Sequence, residues 1–235
     1  MVLPEHKIVI VGAGCFGIST AYHLLKRGFT DVTVIDRSEV LPARDAASND
    51  FNRIVRTAYA DGFYSKLAKE AIDSWRNDAT EIWDNSYHES GVLLLGRSSA
   101  EGTYVHEAYE NDAKQGLRLR RLDTDLSVKE TTEEMLGSQA SVDFQGLCGY
   151  LNYESGWADA GKATAAMTAK VRALGGKVFG GKTVRELIRT NGLTRGVKCT
   201  DGSLFNADLV VIATGSWTPS TFPGLGLEGR SLATG

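Results

Sequence analysis

Cysteine, proline and histidine are all scarce in this chain of 235 residues. The three cysteines, Cys15, Cys148 and Cys199, are odd in number and widely spaced, so the sequence shows no disulfide framework and no C-x-x-C pair. The four histidines lack metal-ligand spacing, and no apolar run reaches the ~20 residues that a membrane-spanning helix needs. We therefore expect a protein of a reducing compartment, most simply the cytoplasm, with no metal site and no membrane partner.

The overall composition is that of a folded globular protein. Hydrophobic residues make up 42% of the chain and charged residues 23%, which excludes disordered and fibrous classes. The formal net charge of −3 gives no reason to expect a nucleic acid as partner. The length corresponds to about 1.6 average domains, and the 26 glycines indicate many tight turns and close backbone approaches.

The N-terminal pattern predicts a β-α-β unit. Lys7–Val11 is a β-branched run typical of a strand buried on both faces, and residues 18–27 carry apolar residues at helical spacing. A second apolar strand over residues 32–35 is closed by Asp36. Such a unit implies a parallel sheet with a right-handed crossover.

The rest of the chain shows further strands and helices around a polar loop at residues 45–52. Residues 117–134 are charged, and we expect them to be irregular. A hairpin turn is expected at residues 201–203. The predicted helices cover residues 59–75, 104–115 and 159–174, and the predicted strands cover residues 91–96, 147–153, 177–179, 183–188, 194–199 and 209–213. We expect the last of these strands to be buried.

The first motif with chemical meaning is Gly12-x-Gly14-x-x-Gly17, placed between the first strand and the first helix. Glycines there permit a tight turn, a close approach of the backbone to a pyrophosphate and close packing of helix on strand. The helix N-terminus then stabilises the negative charge. Asp36 follows Gly17 by 19 positions, near the spacing of the acid that binds ribose hydroxyls, and its charge disfavours NADP. The motif alone leaves NAD and FAD open.

A second segment favours FAD. The strand at residues 209–213 ends in Ala213-Thr214-Gly215, which resembles the late strand of flavoproteins of the two-dinucleotide-binding type. The resemblance implies that this strand end passes beside the cofactor, a feature that a simple NAD dehydrogenase does not require.

The stretch from Asp45 to Arg56 carries a family resemblance. Together with the glycine loop, Asp36 and the final Ala-Thr-Gly, it resembles the FAD-dependent amine oxidases of the sarcosine oxidase and fructosyl amino acid oxidase (amadoriase) family. The resemblance covers essentially the whole chain. The D-A-A-S-x-D-x-N run from Asp45 to Asn52 is more similar to the fungal fructosyl amino acid and saccharopine oxidase branch.

The resemblance implies roles for individual residues. Residues 48–54 match a loop that runs along the flavin ring, and Val184 lies in a strand whose backbone contacts adenine. Arg53 matches a cation beside the flavin, where it would favour the anionic reduced form, and Arg56 matches a clamp on a substrate carboxylate. We therefore predict Arg53 and Arg56 as catalytic residues. The predicted cofactor-binding residues are Gly12, Gly14, Cys15, Phe16, Gly17, Asp36, Arg37, Ser48, Asn49, Asp50, Asn52, Arg53, Ile54, Val184, Ala213, Thr214, Gly215 and Trp217.

Four of these positions have a simpler interpretation, which for Arg53 and Arg56 is a surface or interdomain ion pair. Cys15 is more simply a small apolar residue packed behind the phosphate turn than a redox centre. Val184 is as simply explained as a buried core residue. At position 53 typical fructosyl amino acid oxidases have Lys and monomeric sarcosine oxidase has Arg, so Arg53 argues against fructosyl-amine specificity.

The fold implied is α/β, a Rossmann-like FAD-binding domain of the glutathione-reductase type with part of a mixed-sheet substrate domain. We expect a discontinuous, incomplete FAD-binding domain over residues 1–85 and 150–235, and a portion of the substrate domain over residues 86–149. Family members are much longer, and the cysteine that binds their flavin lies in the C-terminal half. The chain is therefore expected to be an apparently truncated N-terminal half.

The implied activity is oxidation of the C–N bond of a secondary amine or N-substituted amino acid with O2, giving H2O2. The substrate is then a small amine or amino acid, the oligomeric state is undetermined, and a longer parent protein is compatible with the peroxisome. An NAD-dependent dehydrogenase stays open, although Tyr22-x-x-x-Lys26, the one match to its catalytic pair, falls inside the helix after the glycine loop. A catalytically inactive flavoprotein fragment also stays open.

Overall fold

The computed structural model describes residues 3–78, 80–137 and 143–226. Short 3-10 turns at Gly215–Trp217 and Pro223–Leu225 flank the last helix. In chain order the strands and helices are Lys7–Val11 (β1), Cys15–Lys26 (α1), Asp31–Ile35 (β2), Arg53–Val55 (β3), Gly62–Asn77 (α2), Tyr87–His88 (β4), Val92–Gly96 (β5), Tyr104–Lys114 (α3), Leu119–Leu122 (β6), Asp125–Leu136 (α4), Cys148–Asn152 (β7), Gly156–Ala158 (β8), Ala160–Ala173 (α5), Lys177–Phe179 (β9), Val184–Thr190 (β10), Leu193–Cys199 (β11), Leu204–Asn206 (β12), Leu209–Ile212 (β13) and Thr218–Thr221 (α6).

The chain divides into two compact units. Unit 1 comprises Met1–Phe51 and Ala160–Gly235, and unit 2 comprises Asn52–Asp159. The first unit is discontinuous in sequence, as the predicted FAD-binding domain is, but its boundaries differ. Residues 52–85 and 150–159 belong to unit 2 because β8 pairs with β3 and β4, and because β7 lies between β5 and β6.

The central sheet of unit 1 confirms the predicted β-α-β unit. Its strand order is β13-β1-β2-β9, and all three pairings are parallel. The side chains of Ile8, Ile10, Val32 and Val34 are at most 1% exposed, which explains why these strands read as continuous apolar runs. Helix α1 packs against α5, and α5 also packs on β9.

A second sheet of unit 1 is antiparallel, with the order β10-β11-β12. The predicted turn at residues 201–203 joins β11 to β12, and Gly202 adopts the left-handed φ of 84° that this turn requires. Strand β12 was not predicted, since it has three residues and Leu204 is exposed. Strand β13 is half-buried rather than buried, because it is an outer strand of its sheet.

The prediction that residues 117–134 are irregular is wrong. Strand β6 pairs with β7, and α4 begins at a capping box formed by Thr124 and Ser127. The buried face of α4 consists of Val128, Thr131 and Thr132. Two of those three residues are polar, so the helical apolar periodicity is too weak to see in the sequence.

The interior of unit 2 contains a buried carboxylate, Asp112 on α3, which is 0% exposed. Its Oδ2 atom accepts hydrogen bonds from the Tyr150 hydroxyl and from Asn152 Nδ2, both at 2.9 Å. Its Oδ1 atom accepts one from the Ser65 hydroxyl at 3.3 Å. A buried carboxylate needs such donors to offset its lost hydration. Burial, followed by the nearby Asp112 charge, raises the pKa of Tyr150 well above its usual range.

The buried Tyr150 and the half-buried Tyr87 of unit 2 predict loss of stability at alkaline pH. Burial also raises the pKa of Tyr87 to about 12. The folded state favours the neutral hydroxyls, so their contribution is complete below about pH 10 and is lost as the pH rises above that value, where unfolded tyrosines ionise. We expect the free energy of unfolding, measured with urea, to fall above pH 10, and to fall less steeply in Tyr150→Phe. That variant should also lose about 1–2 kcal/mol at pH 8.

The exposed Tyr64 provides the control, since Tyr64→Phe should follow the wild-type curve. Parallel pH curves for wild type and Tyr150→Phe would contradict the prediction.

Candidate functional site

Three of the predicted cofactor-binding segments in unit 1 lie at one edge of its parallel sheet. The glycine loop follows β1, Asp36 follows β2, and Ala213-Thr214-Gly215 follows β13. Because these strands are parallel, their carboxyl ends share one edge, which is where open α/β sheets bind ligands.

The glycine loop is packed against the end of β13. Gly12 has a φ of 109°, and a Cβ atom there would lie 2.3 Å from the carbonyl oxygen of Ala213. A Cβ atom on Gly17 would lie 1.9 Å from the carbonyl oxygen of Gly12. The Ala213 N–H donates to the Val11 carbonyl at 2.8 Å. The first and third glycines are therefore required for packing, as the motif predicts.

Gly14 differs from the other two glycines. Its backbone is extended at the N-cap of α1, and a Cβ atom there would meet the Ser48 hydroxyl at 3.2 Å. The same hydroxyl accepts a hydrogen bond from the Cys15 N–H at 3.1 Å. Ser48 is buried, and its carbonyl accepts from the Thr164 hydroxyl at 3.2 Å. Ser48 thus supports the N-terminal turn of a twelve-residue helix, the end that favours an anion.

Asp36 lies at the same edge of the sheet, directly after β2. Its Oδ2 atom accepts from the Ala13 N–H at 2.7 Å, and its Oδ1 atom accepts from the Ser38 N–H at 2.8 Å. A carboxylate offers about four lone-pair sites, so these two bonds orient the group and leave capacity for a pair of ribose hydroxyls. This arrangement fits the dinucleotide role that its spacing predicts.

The next residue, Arg37, joins two parts of the same edge. It forms an ion pair with Asp45, and its guanidinium lies 4.5 Å from the centre of the Trp217 ring. The Thr214 and Thr218 hydroxyls are hydrogen-bonded at 2.9 Å, which ties the Ala-Thr-Gly segment to the turn carrying Trp217. Arg37, Thr214 and Trp217 are therefore brought together within unit 1.

Cys15 and Val184 differ in their surroundings from the other predicted cofactor-binding residues. Cys15 is exposed rather than packed behind the turn. Partial desolvation raises the pKa of its thiol and outweighs the backbone hydrogen bonds that lower it, so the thiolate is disfavoured. The Val184 side chain packs in an apolar cluster with Val9, Ile35 and Val197. The core interpretation therefore accounts for the Val184 side chain.

The remaining loop residues divide between the units. In unit 1, the Asn49 N–H donates to the Ala46 carbonyl at 2.9 Å and the Asp50 carbonyl accepts from the Gly161 N–H at 3.2 Å, while Phe16 is 82% exposed. In unit 2, Asn52 is exposed and precedes β3, in which Arg53 pairs with Ala158 and Ile54 is 65% exposed.

Arg56, also in unit 2, is held by residues that the sequence did not single out. Its Nη1 atom donates to the Ala58 carbonyl and to the Tyr104 hydroxyl, the latter at 2.7 Å. Its guanidinium lies 4.8 Å from the centre of the Tyr59 ring. Tyr104 is 48 positions away in sequence, and no spacing rule could have found it.

Neither metal ligands nor a membrane helix can be recognised in the described ranges. Among residues 3–78, 80–137 and 143–226, no group of three His, Cys, Asp or Glu side chains is arranged to hold a metal ion. In the same part of the chain, no helix is both long and apolar enough to cross a membrane.

The fold and the glycine-loop edge define a dinucleotide-binding α/β protein, and comparisons with known proteins identify the family. Residues 7–233 match the DAO family of FAD dependent oxidoreductases. The chain belongs to this family. The match confirms the predicted cofactor, FAD, and the predicted fold class.

Three individual proteins that are similar to this chain support the same family assignment. The chain is 32% identical to L-saccharopine oxidase of Schizosaccharomyces pombe, over 91% of this chain and 51% of that protein. It is 29% identical to human peroxisomal sarcosine oxidase, over 94% and 53% respectively. The crystal structure of fructosyl amine:oxygen oxidoreductase (amadoriase I) from Aspergillus fumigatus matches with a TM-score of 0.77 and 26% identity, covering 94% of this chain and 51% of that one. The chain thus spans about half the length of the relatives it matches.

The glycines predict two different substitution effects. Gly17→Ala places a methyl group against the fixed Gly12 carbonyl and should lower the free energy of unfolding by about 1–3 kcal/mol. Gly14→Ala meets the Ser48 hydroxyl at 3.2 Å, a side-chain atom that needs to move by only a few tenths of an ångström, and should lower the free energy of unfolding by less than about 1 kcal/mol. Urea unfolding of both variants checks this, and equal unfolding midpoints would show that the close packing is not required.

Proposed function

We propose that this chain supplies the FAD-binding region and part of the substrate site of an oxidase acting on the C–N bond of a secondary amine or N-substituted amino acid. Support comes from the family match and from the names of the relatives, which include L-saccharopine, sarcosine and fructosyl amine oxidases. Saccharopine and sarcosine are both N-substituted amino acids. O2 is the proposed electron acceptor, with H2O2 as product.

The observation that carries this proposal is the backbone cradle at the carboxyl edge of the unit 1 sheet. Gly14 leaves the N-terminus of α1 uncovered by a Cβ atom, and Asp36 is oriented by two backbone N–H groups. The pyrophosphate would be held at the helix N-terminus and the ribose by Asp36. Arg37 and Trp217, stacked on each other, would border the same site.

When bound, FAD supplies a two-electron acceptor for the amine, whose oxidised C–N bond is then hydrolysed. The chain's own contribution is to bind and orient. Arg56 presents a planar cation that suits bidentate pairing with the carboxylate of an amino-acid substrate. Arg53 would supply positive charge that stabilises the reduced, anionic flavin, as the resemblance implies.

We assign unit 1 to FAD binding and unit 2 to the substrate domain, with the boundaries that the compact units have. The proposed partners are small molecules alone, an amine or amino acid and O2, without nucleic acid or membrane. A cytoplasmic location is proposed for the chain. A peroxisomal location is the alternative for a longer parent, because one relative is a peroxisomal sarcosine oxidase.

FAD binding by the chain can be tested with the Gly14→Ala variant. Its methyl group would obstruct the approach of the pyrophosphate while leaving the loop folded, so we expect the dissociation constant for FAD to rise at least about tenfold. The measurement is quenching of flavin fluorescence on titration. Gly224→Ala provides the matched control, since a Cβ atom there meets nothing within 4 Å.

A parallel titration with NAD distinguishes the nicotinamide alternative. Binding of NAD in preference to FAD would overturn the proposal. Equal FAD affinity for Gly14→Ala and wild type would show that the glycine loop is not the pyrophosphate site.

The reaction is tested on the whole protein that carries this chain. Sarcosine, saccharopine and fructosyl glycine are supplied in turn, and H2O2 is measured with a peroxidase-coupled assay. We expect release of H2O2 with at least one of them, and loss of most of the activity at low substrate in Arg56→Met, which keeps the length of the side chain but not its charge. FAD binding without any amine-dependent H2O2 would favour the inactive flavoprotein instead.

A further inference from the structure

The segment that follows Arg56 is fixed to the rest of unit 2 by side chains from two other elements. Asn111 on α3 donates to the Tyr59 carbonyl at 3.0 Å and to the Ala60 carbonyl at 2.8 Å. Asn152 on β7 donates to the Thr57 hydroxyl at 2.9 Å, and both of these residues are buried. Asn152 also donates to the buried Asp112. The backbone carrying Arg56 is therefore held in one position.

Tyr104, the first residue of α3, connects this backbone to the Arg56 side chain. Its hydroxyl donates to the Ala58 carbonyl at 2.6 Å and accepts from Arg56 Nη1 at 2.7 Å. Nη1 also donates to the Ala58 carbonyl. The hydroxyl, the carbonyl and Nη1 thus form a closed triangle of hydrogen bonds. The guanidinium carbon lies 4.8 Å from the centre of the Tyr59 ring and 5.9 Å from that of the Tyr104 ring, so both rings attract the cation through cation–π contacts.

The remaining donors of Arg56 determine what the side chain can bind. A guanidinium has five N–H groups, and the two on Nη1 are used within the triangle. In the described part of unit 2, the three N–H groups on Nε and Nη2 donate to no residue. No Asp or Glu side chain in that part forms an ion pair with Arg56. These three include the two parallel N–H groups, on Nε and Nη2, that a carboxylate can accept together.

We propose that Tyr104 is a positioning residue that holds Arg56 through Nη1, so that the Nε–Nη2 edge receives the carboxylate of the amino-acid substrate. This inference rests on the proposed function, which gives Arg56 the carboxylate. It adds which edge of the Arg56 guanidinium binds the carboxylate, and that Tyr104 selects this edge. Without the Tyr104 hydroxyl, the guanidinium can rotate and offer either edge.

The test uses 15N-arginine-labelled chain and sodium acetate as the carboxylate probe. Side-chain N–H resonances of Arg56 are identified by their loss in Arg56→Lys. In wild type we expect acetate to shift the Nε and Nη2 resonances and to leave Nη1 unchanged. In Tyr104→Phe the Nη1 and Nη2 resonances should exchange faster, acetate should shift both, and the dissociation constant for acetate should rise about threefold to tenfold.

Acetamide and matched sodium chloride serve as neutral and ionic-strength controls. Tyr64→Phe, which removes the hydroxyl of an exposed tyrosine, should behave as wild type. Acetate shifts at Nη1 in wild type, or an Arg56 spectrum that is unchanged in Tyr104→Phe, would overturn the proposal. The measurement needs neither flavin nor turnover. If the spectra are as expected but the protein oxidises no amine, the proposed function is overturned and the role of Tyr104 is not.

Discussion

The contact between the glycine loop and the end of β13 is the constraint on which unit 1 depends. The Ala213 carbonyl occupies the space that a Gly12 Cβ atom would need, and the Gly12 carbonyl occupies that of Gly17. Backbone therefore packs directly on backbone at the sheet edge. This packing draws the N-terminus of α1 close to the ends of β1 and β13, which is the condition for a helix to present its N–H groups to an anion there.

The candidate cofactor site is built mainly from backbone groups around that contact. Asp36 is oriented by the Ala13 and Ser38 N–H groups, and the first turn of α1 is supported by Ser48. Besides the Asp36 carboxylate and the Ser48 hydroxyl, side chains enter at the border, where Arg37 stacks on Trp217. Backbone recognition of this kind suits a pyrophosphate and ribose, which every FAD molecule presents in the same way.

In unit 2, by contrast, polar side chains in the interior position the candidate residues. Asp112 is buried and accepts hydrogen bonds from Ser65, Tyr150 and Asn152. Burying such a group without these donors would cost several kcal/mol. Asn152 also donates to Thr57, so the same network that satisfies Asp112 also fixes the segment beside Arg56. Stability and side-chain orientation are thereby linked through shared residues.

The local sequence pattern was sufficient to predict the structure where the backbone geometry repeats over short distances. The β1-α1-β2 unit, the glycine loop, Asp36 and the turn at residues 201–203 follow from spacing and residue type, because strand period, helix period and left-handed glycines are local properties. Strand β6 and helix α4 were missed because charged residues and buried threonines obscured their periodicity. The half-burial of β13 depends on its outer place in the sheet, which no local pattern records.

The amino-acid sequence determined the class of this protein, since the glycine loop, the acid after β2 and the Ser48–Arg56 stretch together indicated an FAD-dependent oxidoreductase. Tertiary structure decided which groups surround each candidate. It placed Cys15 at the surface and Val184 in an apolar core, and it joined Tyr104 to Arg56 across 48 positions of sequence. Such contacts arise from the packing of whole elements, and the residues that meet carry no common signal along the chain.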